Sequence, residues 1–151
     1  MDMDNAVLQV VMRYLHLVCV ALAVGGMAFM SFCLWPVTKK LPEPARADLL
    51  KPIQERFLRV VLVAIAGLTI SGSYAWMSNA ALYRQIGPTA KALIGAKVLL
   101  AAVIFAVVIG RSVGLIQPSR FWHRFNLHLA AVVMLLAAVL RYLHIHALAH
   151  G

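Results

Sequence analysis

Charged residues are scarce in this chain. They make up 13% of its 151 residues, against about a quarter in soluble domains, whereas 63% of the residues are hydrophobic. So few polar groups cannot cover the apolar surface of a water-soluble domain. The composition therefore predicts an all-α integral membrane protein that has the lipid bilayer as its solvent, and the length predicts a single domain over residues 1–151.

Acidic residues are the scarcest charged type. The chain has five Asp and Glu against 14 Lys and Arg, which leaves a net charge of +9, and no acid falls inside a long apolar run. The basic residues flank the apolar runs, as the positive-inside rule describes. We therefore interpret the charge as a determinant of topology and of contact with anionic lipid, and we exclude nucleic acid as a partner.

Cysteines and catalytic motifs are also few. Cys19 and Cys33 lie fourteen residues apart in one apolar segment, about 21 Å along a helix, so they cannot bridge to each other within one subunit. The chain contains no catalytic serine motif, phosphate loop, zinc-site spacing or carboxylate dyad. Hydrolysis and phosphoryl transfer are therefore poorly supported.

Four apolar segments are present, each close to the 20 or so residues that cross a bilayer. We predict a four-transmembrane-helix bundle with spans at about residues 14–37, 60–79, 92–110 and 125–146. The connection over residues 38–59 is Pro-broken and amphipathic, which predicts a short interfacial helix. Gly87-Pro88 and Gln117-Pro118-Ser119 predict the other turns, with Ser119 as the N-cap of the fourth helix.

The basic residues predict the orientation of the chain. The first and third connections hold most of them: Lys39, Lys40, Arg46, Lys51, Arg56, Arg59, Arg111, Arg120 and Arg124. The positive-inside rule therefore places these two connections in the cytoplasm and both termini on the outer, periplasmic side. The expected location is the bacterial inner membrane, which the chain would cross several times.

Two cations interrupt apolar spans. Lys97 and Arg111 leave only about 13 residues between them, and Arg124 and Arg141 about 16, both too few to cross a bilayer. Lys97 and Arg141 must therefore lie inside the hydrocarbon boundary near the outer face. They either extend to lipid headgroups or, together with Arg13, hold an anion such as a haem propionate, a quinone oxygen or a lipid phosphate.

Two histidines fall at the same depth as these cations. His16 lies one turn after Arg13, and His144 lies near the end of the fourth span. Facing imidazoles in a helix bundle are typical axial ligands of a low-spin b-type haem, and nearby cations would hold its propionates. The alternative is that each histidine bonds a backbone carbonyl. His128 has no intramembrane histidine at its depth, and His123 fits an interfacial anchor.

The first span carries a stripe of soft ligands. Its residues recur in steps of three and four: Met12, His16, Cys19, Ala23, Gly26, Met30 and Cys33. Thioether, thiol and imidazole groups suit Cu(I), although Met and Cys are also ordinary core residues, and we favour packing. The C-terminal HIHALAH, with His144, His146 and His150, could collect Cu(II) or Zn(II).

Several motifs resemble known families. RYLHLVCVALAVGGMAF, WPVTKKLPEPARADLLKPIQERFLRVVLVAIAGLTISG and ALIGAKVLLAAVIF resemble the first three helices of the membrane domain of the copper-resistance protein D (CopD) family. This resemblance covers most of the chain to about Arg111 and implies copper handling. A histidine in helix one and a lysine in helix three are also similar to the HemJ family, taken to oxidise protoporphyrinogen and to bind b-type haem. That similarity bears on His16 and Lys97.

Four functions follow from these patterns. The leading hypothesis is a protein that binds one haem b and passes electrons between quinol, or a partner subunit, and an external acceptor, as part of a larger membrane complex. Its ligands would be His16 and His144, with Arg13, Lys97 and Arg141 as propionate or quinone partners. The alternatives are copper handling, a protoporphyrinogen oxidase-like enzyme of the haem pathway, and a scaffold subunit without a cofactor.

Overall fold

The computed structural model describes the backbone of residues 3–78, 88–116 and 120–149, and all of their side chains except those of residues 89, 90, 120, 123, 141 and 143–149. Over this part of the chain every regular element is helical. The α-helices are α1 (Met3–Phe29), α2 (Trp35–Thr38), α3 (Glu43–Ser78), α4 (Pro88–Ser112) and α5 (Arg120–Ala149), and a π-helical segment, Met30–Leu34, joins α1 to α2.

Three of the helical stretches are long and apolar enough to cross a membrane, namely Met3–Thr38, Glu43–Ser78 and Lys91–Ser112. In the fourth, the apolar run among the described side chains is Arg124–Leu140. The prediction of an all-helical chain with apolar spans is therefore confirmed for the described residues. Met1–Ser78 and Asn79–Gly151 form two compact units, and the packing of all four helices into one bundle remains a prediction.

The second span differs from its prediction at its N-terminal end. Residues 43–59 do not form a separate interfacial helix but continue into the span without a break, with Pro52 inside α3. Proline removes one intrahelical hydrogen bond, but the surrounding Ala, Leu, Glu, Gln, Lys and Arg residues favour helix strongly. The 36 residues measure about 54 Å, so the polar N-terminal part extends beyond a hydrocarbon core of about 30 Å.

In the first unit α1 packs against α3 through small residues. Cys19, Ala23 and Ala64 form the buried core, and Leu15 and Leu68 pack against it. Two glycines allow the helices to approach closely. A Cβ at Gly67 would lie 2.5 Å from the Cys19 Sγ, and a Cβ at Gly26 would collide with the ring of Phe57.

In the second unit α4 packs against α5, with Val107, Val108 and Ala130 buried. Helix α4 begins at Pro88, as proline at the first helical position favours. It ends in a Schellman motif. Gly114 has a φ of 79°, and the amides of Leu115 and Gly114 donate to the carbonyls of Gly110 and Arg111, at 2.8 and 3.3 Å.

Some of the predicted turn residues on either side of α4 lie outside the described residues. These are Gly87 and the run Gln117-Pro118-Ser119, which includes the predicted N-cap Ser119. The structure shows instead that Gly114 ends α4, because its left-handed conformation lets the last carbonyls of the helix find donors. The sequence predicts a turn at Gln117-Pro118-Ser119 and ends the third span at about residue 110, close to the observed end of α4 at Ser112.

Candidate functional site

His16 is half-buried on the side of α1 that meets α3. Its Nδ1 lies 2.9 Å from the Oγ of Ser71, which is only 2% exposed. The Ser71 hydroxyl also lies 2.7 Å from the carbonyl oxygen of Gly67, one turn earlier on α3. The imidazole is thus held by a side chain 55 residues away in the sequence.

The single proton of the hydroxyl decides the tautomer of His16. A carbonyl oxygen can only accept, so the short contact with Gly67 requires the Ser71 hydroxyl to donate its proton there. The Ser71 oxygen must then accept from the His16 Nδ1–H. In the neutral ring the basic lone pair consequently resides on Nε2, the nitrogen through which an imidazole would ligate a metal.

The predicted cation–histidine cluster is divided between the two units. Arg13 is exposed on α1, one turn before His16, and Lys97 is half-buried on α4. Arg141 and His144 belong to α5, and their side chains lie outside the described residues, as do those of His146 and His150. The structure therefore brings Arg13 and His16 together on α1, and the assembly of all five residues remains a prediction.

The soft-ligand stripe of α1 is only partly retained on one face. Cys19 and Met30 are buried and Met12 is half-buried, whereas Cys33 is exposed. Cys33 belongs to the π-helical segment Met30–Leu34, whose wider turn changes the angular step between residues. Among the described residues no group of three or more His, Cys, Asp or Glu side chains could hold a metal ion.

Cys19 has a packing role in this structure. Its Sγ occupies the space that a side chain at Gly67 would need, and it lies in the core between α1 and α3. The thiol thus contributes to the close contact of the two helices, as a small apolar group does.

Sequence reasoning missed the polar residues buried against these helices. Ser71 was not predicted, although a serine inside an apolar run is a signal. Asn126 on α5 is 2% exposed, and neither its Oδ1 nor the Nε of Arg111 on α4 finds a hydrogen-bond partner among the described residues. An asparagine in an apolar helix is a comparable signal, because a buried amide needs partners.

The N-terminal part of α5 carries an aromatic cluster. Phe121 and Phe125 stack with their ring centroids 5.9 Å apart and their planes at 15°. The Trp122 ring lies edge-on to both, at 5.5 and 5.8 Å. Together with Arg124 and His128, the two phenylalanines line an open groove of about 460 Å³.

His128 is fixed within this groove by its own helix. Its Nδ1 lies 2.5 Å from the carbonyl oxygen of Arg124, one turn earlier. Because a carbonyl can only accept, Nδ1 donates the hydrogen bond. A hydrogen bond to a backbone carbonyl is the alternative to haem ligation that we consider for the histidines. His128 makes such a bond.

Comparison of the chain with protein-family models, with curated proteins and with solved structures finds no match. The resemblance to the CopD and HemJ families therefore remains a prediction from the motifs. What the described part of the chain shows is helices that are long and apolar enough to cross a membrane, and a hydrogen bond between His16 and Ser71 that orients the imidazole.

Proposed function

We propose that this protein binds one b-type haem in the membrane and passes electrons between quinol, or a partner subunit, and an acceptor on the outer side. The observation that supports the proposal is the arrangement of His16, Ser71 and Gly67, because it fixes the imidazole in one orientation and one tautomer. Histidines that ligate metals usually donate their second ring N–H to a fixed acceptor in this way.

Among the described residues, His16 would serve as one of the two histidine ligands of the haem iron. When bound, a low-spin haem supplies a one-electron Fe(III)/Fe(II) couple. His16 would offer Nε2, and the Ser71 hydroxyl, shielded from solvent, would keep the ring from rotating. In the proposal His144 is the second ligand.

The cations complete the proposed site. Arg13, Lys97 and Arg141 would hold the two propionates or a quinone oxygen, since guanidinium and ammonium groups donate strong charge-assisted hydrogen bonds to such acceptors. Their place near the outer face would set the side from which the external acceptor takes the electron. Further subunits or a redox partner in the bacterial inner membrane belong to the same proposal.

The proposal is tested by the absorption spectrum of the purified full-length protein, oxidised and then reduced with dithionite. A bis-histidine haem predicts a sharp Soret band and resolved α and β bands on reduction. His16→Gln, which keeps much of the volume and polarity of the side chain, should abolish these bands, and so should His144→Ala. A colourless protein with no extractable haem overturns the proposal and favours the scaffold alternative.

The Ser71→Ala variant tests the orientation of the His16 imidazole separately from its ligation of the haem iron. Removing the acceptor of the Nδ1–H should weaken haem binding by about tenfold or more while leaving a low-spin spectrum at saturating haem. His128→Ala is the matched control, because that imidazole already bonds the backbone of its own helix. Its spectrum should equal that of the wild type. Equal haem affinity in Ser71→Ala and wild type would contradict the proposed role of Ser71.

A further inference from the structure

The distribution of charge along the chain is unequal. All five acidic residues occur before residue 56, and residues 79–151 contain no Asp or Glu. The cations of this second half are Arg84, Lys91, Lys97, Arg111, Arg120, Arg124 and Arg141. A cation in this unit therefore has no carboxylate side chain of its own unit to pair with.

The groove on α5 combines such a cation with an apolar platform. Phe121, Arg124, Phe125 and His128 follow steps of three and four residues, so they share one face of the helix. Phe121 is 66% exposed although it is a large apolar residue, and its ring is stacked on that of Phe125. The groove is open along the helix, with a volume of about 460 Å³.

The groove lies at the boundary between polar and apolar sequence. Helix α5 begins at Arg120, and its sequence changes from mainly aromatic, basic and polar residues at 120–128 to apolar residues at 129–140. Arg111 lies at the same end of this hairpin, because the Schellman motif that ends α4 follows it directly. Aromatic residues beside basic ones at such a boundary are typical of the headgroup level of a bilayer.

We infer that this groove binds an anionic phospholipid, with the phosphate on the Arg124 guanidinium and the start of an acyl chain on the stacked rings of Phe121 and Phe125. A guanidinium donates paired hydrogen bonds that match two phosphate oxygens. The rings offer the acyl chain an apolar surface, and His128, which is anchored through Nδ1, lines the groove one turn further along.

The test uses the full-length protein in phosphatidylcholine vesicles that contain spin-labelled phosphatidylglycerol or spin-labelled phosphatidylcholine. The wild type should retain the anionic lipid in preference to the zwitterionic one. Arg124→Gln should reduce that preference by about fivefold, the contribution of one cation at a membrane surface. Phe121→Ala keeps every charge but removes half of the stacked platform, and it too should reduce the preference.

Lys51→Gln is the matched control, because it removes the same charge from an exposed position on α3 that has no part in the groove. Its preference should stay within about twofold of the wild type, since Lys51 is not among the residues that line the groove. Equal losses in Arg124→Gln and Lys51→Gln would overturn the site in favour of a diffuse charge effect. Displacement of the labelled lipid by inorganic phosphate would also overturn it. Helical circular dichroism confirms that each variant is folded.

Discussion

Single side chains decide how closely α1 approaches α3. Gly67 has no Cβ, and the Cys19 Sγ occupies the space where one would be, only 2.5 Å from its ideal position. Gly72, one turn and a half later on the same helix, has nothing within 4 Å of that position. Two glycines five residues apart on one helix thus have different roles. The space around each Cα in the packed structure distinguishes them.

We expect Gly67→Ala to destabilise the first unit by about 1–3 kcal/mol, the usual cost of overpacking a well-filled core. The measurement is unfolding of the purified protein in a denaturing-detergent titration followed by helical circular dichroism. Gly72→Ala is the matched control and should leave stability unchanged or higher, because alanine favours helix over glycine.

The same pair allows a double-mutant cycle. Adding Cys19→Ala to Gly67→Ala removes the sulfur that the new methyl group would meet, so the double variant should recover much of the loss. Additive losses in the two single variants would contradict the assigned contact between residues 19 and 67.

The sequence singles out His16 but not its hydrogen-bond partner Ser71. A histidine inside an apolar run needs a partner, which is why His16 is unusual in the sequence. Its partner lies 55 residues away, and no local pattern connects the two positions. The hydrogen bond exists because the packing of α1 on α3 brings the two side chains to the same level.

At the scale of elements, the ends of the helices follow different rules. Helix α4 stops because Gly114 adopts a left-handed conformation in which Leu115 can donate back to Gly110. The side chain of Ile116 also packs over Gly110 at this turn. A Cβ at Gly110 would lie only 2.9 Å from the Cδ1 of Ile116. Pro52, by contrast, fails to end α3.

We expect Gly114→Ala to destabilise the second unit by about 1–2 kcal/mol, because a side chain in the left-handed region places its Cβ too near the following carbonyl oxygen. Gly114→Asn should lose less, since asparagine tolerates this conformation. The measurement is the same detergent titration. Gly95→Ala on α4, where a Cβ would have nothing within 4 Å, should cause no loss, and a loss equal to that of Gly114→Ala would contradict the motif.

At the scale of the whole molecule, charge and apolar length together predict how the chain lies in the membrane. Three helical stretches are long and apolar enough to cross it, and α5 adds the shorter run Arg124–Leu140. Nine basic residues lie within residues 38–59 and 111–124, which flank the apolar parts of the helices. Cations of this kind are retained on the cytoplasmic side during insertion.

Reporter fusions measure the orientation directly. Alkaline phosphatase, which is active only outside the cytoplasm, should be active when fused after residue 151 and inactive when fused after residue 116. A green fluorescent protein fusion should give the opposite pattern. That reporter becomes fluorescent when it stays in the cytoplasm but not when it is exported unfolded. Activity of phosphatase at residue 116 would contradict the predicted placement of both termini outside.

The sequence by itself determined the solvent of this protein and the existence of its apolar helices, because these depend on composition and run length alone. It also marked His16 and Lys97 as unusual. Only the tertiary structure decided that Cys19 packs on Gly67, that Cys33 leaves the buried face, and that Ser71 fixes His16. The Cys19–Gly67 and His16–Ser71 contacts join residues far apart in the chain and depend on how α1 packs on α3, whereas the exposure of Cys33 follows from the wider turn of the π-helical segment.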